Sequence, residues 1–96
     1  MSAFLICDVT VKDREKLGEY LKLSEHTLAP FGGKFHVQAG ALEIIEGGWN
    51  PKVIIIAEFP SMEKAREWYK SPDYAKALNV KPQAMDRNMI LVEGLA

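Results

Sequence analysis

Residues 52–74 constrain the fold more than any other part of the chain. They open with an apolar run over residues 53–57, in which four of the five side chains are Val or Ile. β-Branched side chains are stiff at χ1 and suit a pleated strand. Successive side chains of a strand point to opposite faces of the sheet, and here all of them are apolar. The run therefore predicts a central strand that is covered on both faces. Pro60 ends this strand because proline cannot donate to the ladder.

Two capped helices are predicted directly after that strand. Ser61 stands where an N-cap belongs, and an apolar face follows it at helical spacing, ending on Trp68 and Tyr69. Ser71-Pro72 then interrupts the helix, since a residue before proline is pushed out of the α region. The same pair is a good N-cap and first helical residue, so a short second helix is predicted to start there.

Composition is typical of one small globular domain, residues 1–96. The net charge of −1 and the pI of 6.1 give no electrostatic basis for nucleic-acid binding. We expect no membrane role, because no apolar run approaches the length of about 20 residues that spans a bilayer. The start of the chain lacks the pattern of a signal peptide, so a cytoplasmic location is predicted. The single Cys7 lies in a strand-like run and is expected to be a buried thiol.

The remaining elements are predicted from periodicity and breakers. Residues 3–10 form a strand with Phe4, Ile6 and Asp8 on one face, and Asp8 is expected to meet water. A helix capped by Thr10 or Asp13 follows and ends near residue 29, before a proline and a glycine pair.

Three further extended segments complete the pattern. Residues 34–39 alternate, with Lys34, His36 and Gln38 on one face. Residues 41–46 resume an extended pattern after a glycine, which allows one bulged strand or two short strands. Residues 88–93 form the last strand.

The predicted order is therefore β-α-β-β-α-β. This order contains two β-α-β units, which together make the ferredoxin-like α+β fold, with two helices on one face of an antiparallel sheet. Helices of one chain cover only one face of that sheet, whereas the central strand is apolar on both. We therefore expect a second copy of the chain to cover the other face, as a homodimer.

Nearly the whole chain resembles the domain of unknown function 1330 family, within the dimeric α/β-barrel superfamily. The resemblance is carried by Tyr20, Gly32-Gly33-Lys34-Phe35, Glu46-Gly47, Trp49, Pro51, Glu58-Phe59-Pro60-Ser61, Trp68-Tyr69, Ser71-Pro72-Asp73-Tyr74 and Val92-Glu93-Gly94. It implies a ferredoxin-like protomer whose sheet packs against that of a partner to close a barrel. It implies no established reaction. Lys34 and Lys81 stand where members of the family usually have arginine, so the planar bidentate fork is lost at both positions.

Two residues are candidates for acid/base chemistry. His36 is one, because an imidazole side chain is the usual acid/base group and His36 shares its predicted strand face with Lys34, although a solvated edge strand explains the same pattern. Tyr74 is read either as a packing residue or as a phenol whose O–H is available to a ligand.

Four residues are candidates for ligand binding: Lys34, Glu46, Ser71 and Lys81. Each also has a structural interpretation, such as a cross-strand pair of Lys34 with Glu58 or a helix cap at Ser71. The two histidines lie ten positions apart on different elements, so no metal site is predicted. No motif for a cofactor is present.

Two functional hypotheses follow from these features. In the first, a homodimer binds a small apolar or weakly acidic molecule in a cleft of the barrel. In the second, the protein is a cofactor-independent isomerase or monooxygenase-like enzyme. His36 would then shuttle a proton, and Lys34 or Tyr74 would stabilise an enolate-like oxygen.

Overall fold

One antiparallel sheet carries three helices on one of its faces. The computed structural model describes residues 1–95. Its strands and helices are β1 (Ala3–Val11), α1 (Arg14–Ser24), β2 (Lys34–Gln38), β3 (Val53–Phe59), α2 (Met62–Tyr69), α3 (Pro72–Ala84) and β4 (Met85–Glu93). The strand order is β2-β3-β1-β4, and every neighbouring pair is antiparallel. This is the ferredoxin-like α+β fold that the sequence predicts.

Side-chain caps start each helix. Asp13 caps α1 by accepting hydrogen bonds from the amides of Glu15 and Lys16 at 2.9 and 3.0 Å. The helix ends at Ser24, earlier than predicted, and two 3-10 turns cover Glu25–Thr27 and Ala29–Phe31. The early end has a local cause, because the Thr27 hydroxyl donates to the Ser24 carbonyl and competes with helical bonding.

The predicted break between α2 and α3 is confirmed. The Ser61 hydroxyl accepts from the Lys64 amide at 3.1 Å, and the Ser71 hydroxyl accepts from the Tyr74 amide at 3.3 Å. However, α3 spans 13 residues and is not the short helix that was predicted. Pro82 lies inside it, near the end, where the missing amide removes only one helical hydrogen bond.

The core lies between the sheet and the helices. Alternate residues of β1 point into it, so Leu5, Cys7 and Val9 are buried as the predicted face requires. The residues of β3 and the helices that meet them include Ala57, Phe59, Tyr20, Trp68, Tyr74 and Ala77. Trp68 is 2% exposed and donates its indole N–H to the Thr27 hydroxyl at 2.9 Å, which satisfies both buried groups.

The opposite face of the sheet has an apolar centre beside the His36–Glu58 pair, and it has no covering layer within residues 1–95. Phe4 and Ile6 pair across strands with Val92 and Ile90, and Ile90 is 56% exposed. A bulge between Phe35 and Val37 moves Val37 to this open face, opposite Ile56. The uninterrupted alternation predicted for β2 is therefore wrong, because the bulge shifts the pairing by one residue.

One predicted extended segment and one predicted strand boundary are also wrong. Residues 41–46 form no strand within the described chain, because a strand needs a hydrogen-bonded neighbour and this segment pairs with none of β1–β4. β4 begins at Met85 and not at residue 88, since its first residues pair with the end of β1. Among the described helices, none is both long and apolar enough to cross a membrane.

Candidate functional site

A cavity of about 280 Å³ lies between α1 and the sheet. It exists because α1 packs mainly along α3 and makes few contacts with the strands beneath it. Most of its wall is apolar and comes from β1, α1, β3, β4 and the turns after α1, including Leu5, Cys7, Val9, Leu17, Leu28, Ile55 and Met89. Ser24, Glu25 and Gln38 also contribute to the wall, and three further polar side chains meet at one place on it: Tyr20, Tyr74 and Arg87.

These three side chains form a closed hydrogen-bonded cluster, which we call the phenol–guanidinium cluster. The phenol oxygens of Tyr20 and Tyr74 are 2.5 Å apart. Nη1 of Arg87 donates to Tyr20 at 2.8 Å and to Tyr74 at 3.2 Å. The guanidinium carbon also lies 5.7 Å from the centre of the Tyr20 ring, within reach of a cation–π interaction. The cluster therefore holds the cation at a fixed position on the cavity wall.

Three different elements supply the cluster. Tyr20 lies on α1, Tyr74 in the first turn of α3, and Arg87 near the start of β4. Arg87 pairs with Val9 across strands, which places it on the helix-covered face of the sheet. The Tyr74 ring is fixed by Trp68, whose ring centre is 4.1 Å away. Packing and hydrogen bonding together orient each polar atom.

The protons of the cluster do not all have partners. Only one of the two phenols can donate across the contact between Tyr20 and Tyr74, so the other O–H has no acceptor among residues 1–95. Arg87 uses only Nη1 in the described hydrogen bonds, and no carboxylate of residues 1–95 lies within 4.0 Å of it. Unused donors and a positive charge therefore face an apolar cavity.

The protonation of the cavity wall follows from burial. Burial raises the pKa of Tyr74 far above its ordinary value, and Tyr20 raises it further, so its phenol stays neutral and keeps its proton. Burial also raises the pKa of the Cys7 thiol, despite the opposing effect of Arg87. A protonated thiol is a poor nucleophile, so Cys7 contributes to the cavity only as an apolar side chain.

The two acid/base candidates lie on opposite faces of the sheet. Nε2 of His36 is 2.7 Å from a carboxylate oxygen of Glu58, and the His36 ring lies 6.4 Å from the Phe4 ring on the open face. Tyr74 is fully buried on the helix-covered face. The sheet separates them, so His36 and Tyr74 do not form one site within the protomer.

The structure also separates the four ligand-binding candidates. Lys34 is exposed opposite Glu58, and Glu46 is exposed in the loop between β2 and β3. Ser71 is buried and caps α3, with its hydroxyl donating to the Trp68 carbonyl at 2.7 Å. Lys81 is half-buried near the end of α3. Within residues 1–95, no three His, Cys, Asp or Glu side chains converge as metal ligands would.

Tyr20 and Arg87 are site residues that were not predicted from the sequence. The sequence does contain a pattern that indicates Arg87. In a strand it lies on the same face as Met85, Met89 and Leu91, so alternation places a cation on an apolar face. Starting the strand at residue 88 removed Arg87 from that pattern. Tyr20 carries part of the family resemblance, but its hydrogen-bond partner Arg87 comes from a distant element.

The fold and its cavity define a small ferredoxin-like α+β protein with an internal pocket. The chain belongs to the family described as Domain of unknown function (DUF1330), whose model matches residues 2–95. The resemblance seen in the sequence is thereby confirmed. No curated protein matches the chain.

Three solved structures show the same fold. A protein of unknown function from Rhodopseudomonas palustris is 20% identical, with a TM-score of 0.81 over 99% of this chain and 83% of that one. SnoaB, a cofactor-independent oxygenase from Streptomyces nogalater, is 11% identical, with a TM-score of 0.70 over 99% and 94%. A dimeric protein of unknown function from Bacteroides fragilis is 16% identical, with a TM-score of 0.64 over 97% and 96%. At these identities the likeness shows the fold alone.

Proposed function

We propose that the protein binds a small, mainly apolar molecule with one acidic or enolic oxygen in the cavity beneath α1. The main support is the phenol–guanidinium cluster, in which Arg87 has no carboxylate partner among residues 1–95 and faces a mainly apolar space. A charge without a partner is costly to hold in such a place, and an anionic ligand would offset that cost. The cavity of about 280 Å³ is close to the lower end of the roughly 300–1,000 Å³ range of ligand pockets.

Polarity along the cavity supports a ligand with one polar end. The cluster supplies a cation and an O–H donor at one place, while the surrounding wall is formed by side chains such as Leu28, Ile55 and Met89. A carboxylate or enolate oxygen would accept from Arg87 and from the phenol pair, and its hydrocarbon part would fill the apolar space.

A binding experiment tests this proposal directly. Titration calorimetry with 2-naphthoate and its neutral isostere 2-naphthamide compares a charged and an uncharged end on the same ring. We expect naphthoate to bind wild type about tenfold or more tightly than the amide, since hydrogen bonds to a charged group are the stronger kind. Arg87→Met should remove that preference. Arg14→Met is the control, because it removes the same charge from an exposed position. A preference that survives Arg87→Met would contradict the proposal.

The functional unit is proposed to be a homodimer. The open face of the sheet exposes apolar side chains, including Ile90 at 56% and Val92 at 45%. A second copy of the chain would remove that surface from water, and the related Bacteroides fragilis structure is described as dimeric. Native mass spectrometry at micromolar concentration should give twice the chain mass. A monomer under those conditions would refute the dimer, and a retained small molecule would appear as added mass.

A cofactor-independent enzyme is the second candidate. The spare phenol proton beside Arg87 is suited to stabilise an enolate-like oxygen, and the fold is shared with SnoaB. Binding ranks first because His36, the base in that hypothesis, lies across the sheet from the cluster. Deuterium exchange into acetylacetone, followed by NMR, separates the two. Catalysis requires faster exchange with wild type than with Arg87→Met, whereas binding alone gives equal rates.

A further inference from the structure

Residues 41–46, which we call the arm, pair with no strand among residues 1–95. Their sequence is Ala-Leu-Glu-Ile-Ile-Glu, and Leu42, Ile44 and Ile45 are 40%, 48% and 84% exposed. They belong to the connection between β2 and β3, which is far longer than the two to five residues usual in a hairpin. The arm has the composition of a strand and lacks a neighbouring strand.

A second unpartnered surface runs along β4. This strand is the last in the sheet order, so one of its edges is free among the described residues. A groove lies between that edge and α2, and its lining combines apolar side chains with the cations Arg66 and Lys70. No carboxylate of residues 1–95 lies within 4.0 Å of either cation. The groove is therefore apolar with a positive rim.

We propose that the arm of one subunit lies along the free edge of β4 in a second copy of the chain and fills this groove. The inference rests on the homodimer of the proposed function and specifies one of its contacts. An extended segment placed at a free sheet edge gains backbone hydrogen bonds and side-chain pockets together. It also explains why the strand-like sequence of the arm pairs with no strand within residues 1–95 of its own protomer.

The sheet order makes this contact geometrically reasonable. β2 and β4 occupy opposite edges of the sheet. When two sheets pack face to face about a twofold axis parallel to their strands, the β2 edge of one lies over the β4 edge of the other. The arm follows β2 directly and so starts beside the partner's groove. Twofold symmetry then repeats the contact once and closes the assembly.

Charge and alternation set the orientation of the arm. In an extended segment Leu42, Ile44 and Glu46 share one side. With the two apolar side chains in the groove, the Glu46 carboxylate lies beside Arg66 and Lys70 of the partner, where opposite charges attract. Glu43 and Ile45 lie on the other side of the arm.

Charge reversal in the arm and in the groove tests the contact. Glu46→Lys alone, and Arg66→Glu with Lys70→Glu, should each weaken dimerisation about tenfold or more in sedimentation equilibrium, because like charges then meet twice in each dimer. Glu43→Lys is the matched control in the same arm and should weaken it much less. Circular dichroism should show an unchanged fold, since all four positions are exposed.

Mixing the two weakened variants gives the decisive result. In a mixed dimer, the lysine introduced at position 46 meets the glutamates introduced at positions 66 and 70, and the other contact keeps the native charges. We expect native mass spectrometry to show predominantly the 1:1 heterodimer. The arm contact would be overturned if the charge reversals left dimer stability unchanged, or if Glu43→Lys weakened the dimer as much as they do. Either result would leave the homodimer intact. A monomeric wild type would instead refute the homodimer itself.

Discussion

The phenol oxygens of Tyr20 and Tyr74 lie 2.5 Å apart, although the residues are 54 positions apart in the chain. Arg87 donates a hydrogen bond to both oxygens, so either phenol alone can still accept from the guanidinium. Because a contact between two hydroxyls uses only one proton, the pair always holds one proton in reserve. That reserve proton and the cation are the chemical basis of the proposed site.

This proton count predicts a non-additive mutant pair. Tyr20→Phe or Tyr74→Phe leaves one phenol, whose proton is then free for the ligand, so each single change should alter naphthoate affinity by less than about threefold. The double variant loses every phenol proton and should bind about tenfold more weakly. Calorimetry measures all four proteins, with the exposed Tyr69→Phe as control. Loss of affinity in one single variant equal to that in the double variant would disprove a shared reserve proton.

Alkaline pH should destabilise the fold through Tyr74. Burial raises the pKa of this phenol in the folded state above its ordinary value of 10.0. A group with a raised folded pKa stabilises the fold below its unfolded pKa and loses that contribution as pH rises through the folded value. The free energy of unfolding should therefore fall above pH about 10, by up to roughly 1.4 kcal/mol per pH unit more than in Tyr74→Phe. Urea denaturation across this range measures it, and identical slopes in both proteins would contradict the prediction.

Two glycines should respond oppositely to alanine. A Cβ at Gly33 would lie 2.6 Å from the Phe59 ring, which is fully buried. Gly33→Ala should cost about 1–3 kcal/mol of unfolding free energy by overpacking. Gly18 lies in α1 with open space around it, so Gly18→Ala should stabilise by about 0.5–1 kcal/mol. Denaturation at one fixed protein concentration compares both with wild type. A neutral Gly33→Ala would show that the Phe59 ring is free to shift.

The carboxylate on the open face should titrate below its ordinary range. A hydrogen bond from Ser2, and then one from His36, lowers the pKa of Glu58. Its stabilising contribution is present above the ordinary value of 4.5 and is lost as pH falls through the lower folded value. Carboxyl-carbon NMR should show a higher Glu58 pKa in Ser2→Ala, and a smaller rise in His36→Ala. An unchanged pKa in both variants would mean that neither bond forms in solution.

Local sequence determined most of the secondary structure. The β-branched run before Pro60 forms the central strand, and Ser61 and Ser71 cap the helices expected to follow, because these preferences act over only a few residues. Strand alternation also put Leu5 and Cys7 on the face opposite Ile6, and the structure shows that the Leu5 face is the buried one.

Only the tertiary structure decided where the chemistry lies. The phenol–guanidinium cluster joins three elements, and Arg87 and Tyr20 are 67 positions apart, a separation over which no periodicity operates. The bulge after Phe35 reversed the face of Val37, since one inserted residue shifts every later side chain. The arm also combines a property set by local sequence with one set by tertiary structure. Its strand-like sequence is a local property, whereas forming a strand depends on pairing with a neighbouring edge, and within residues 1–95 this segment pairs with none.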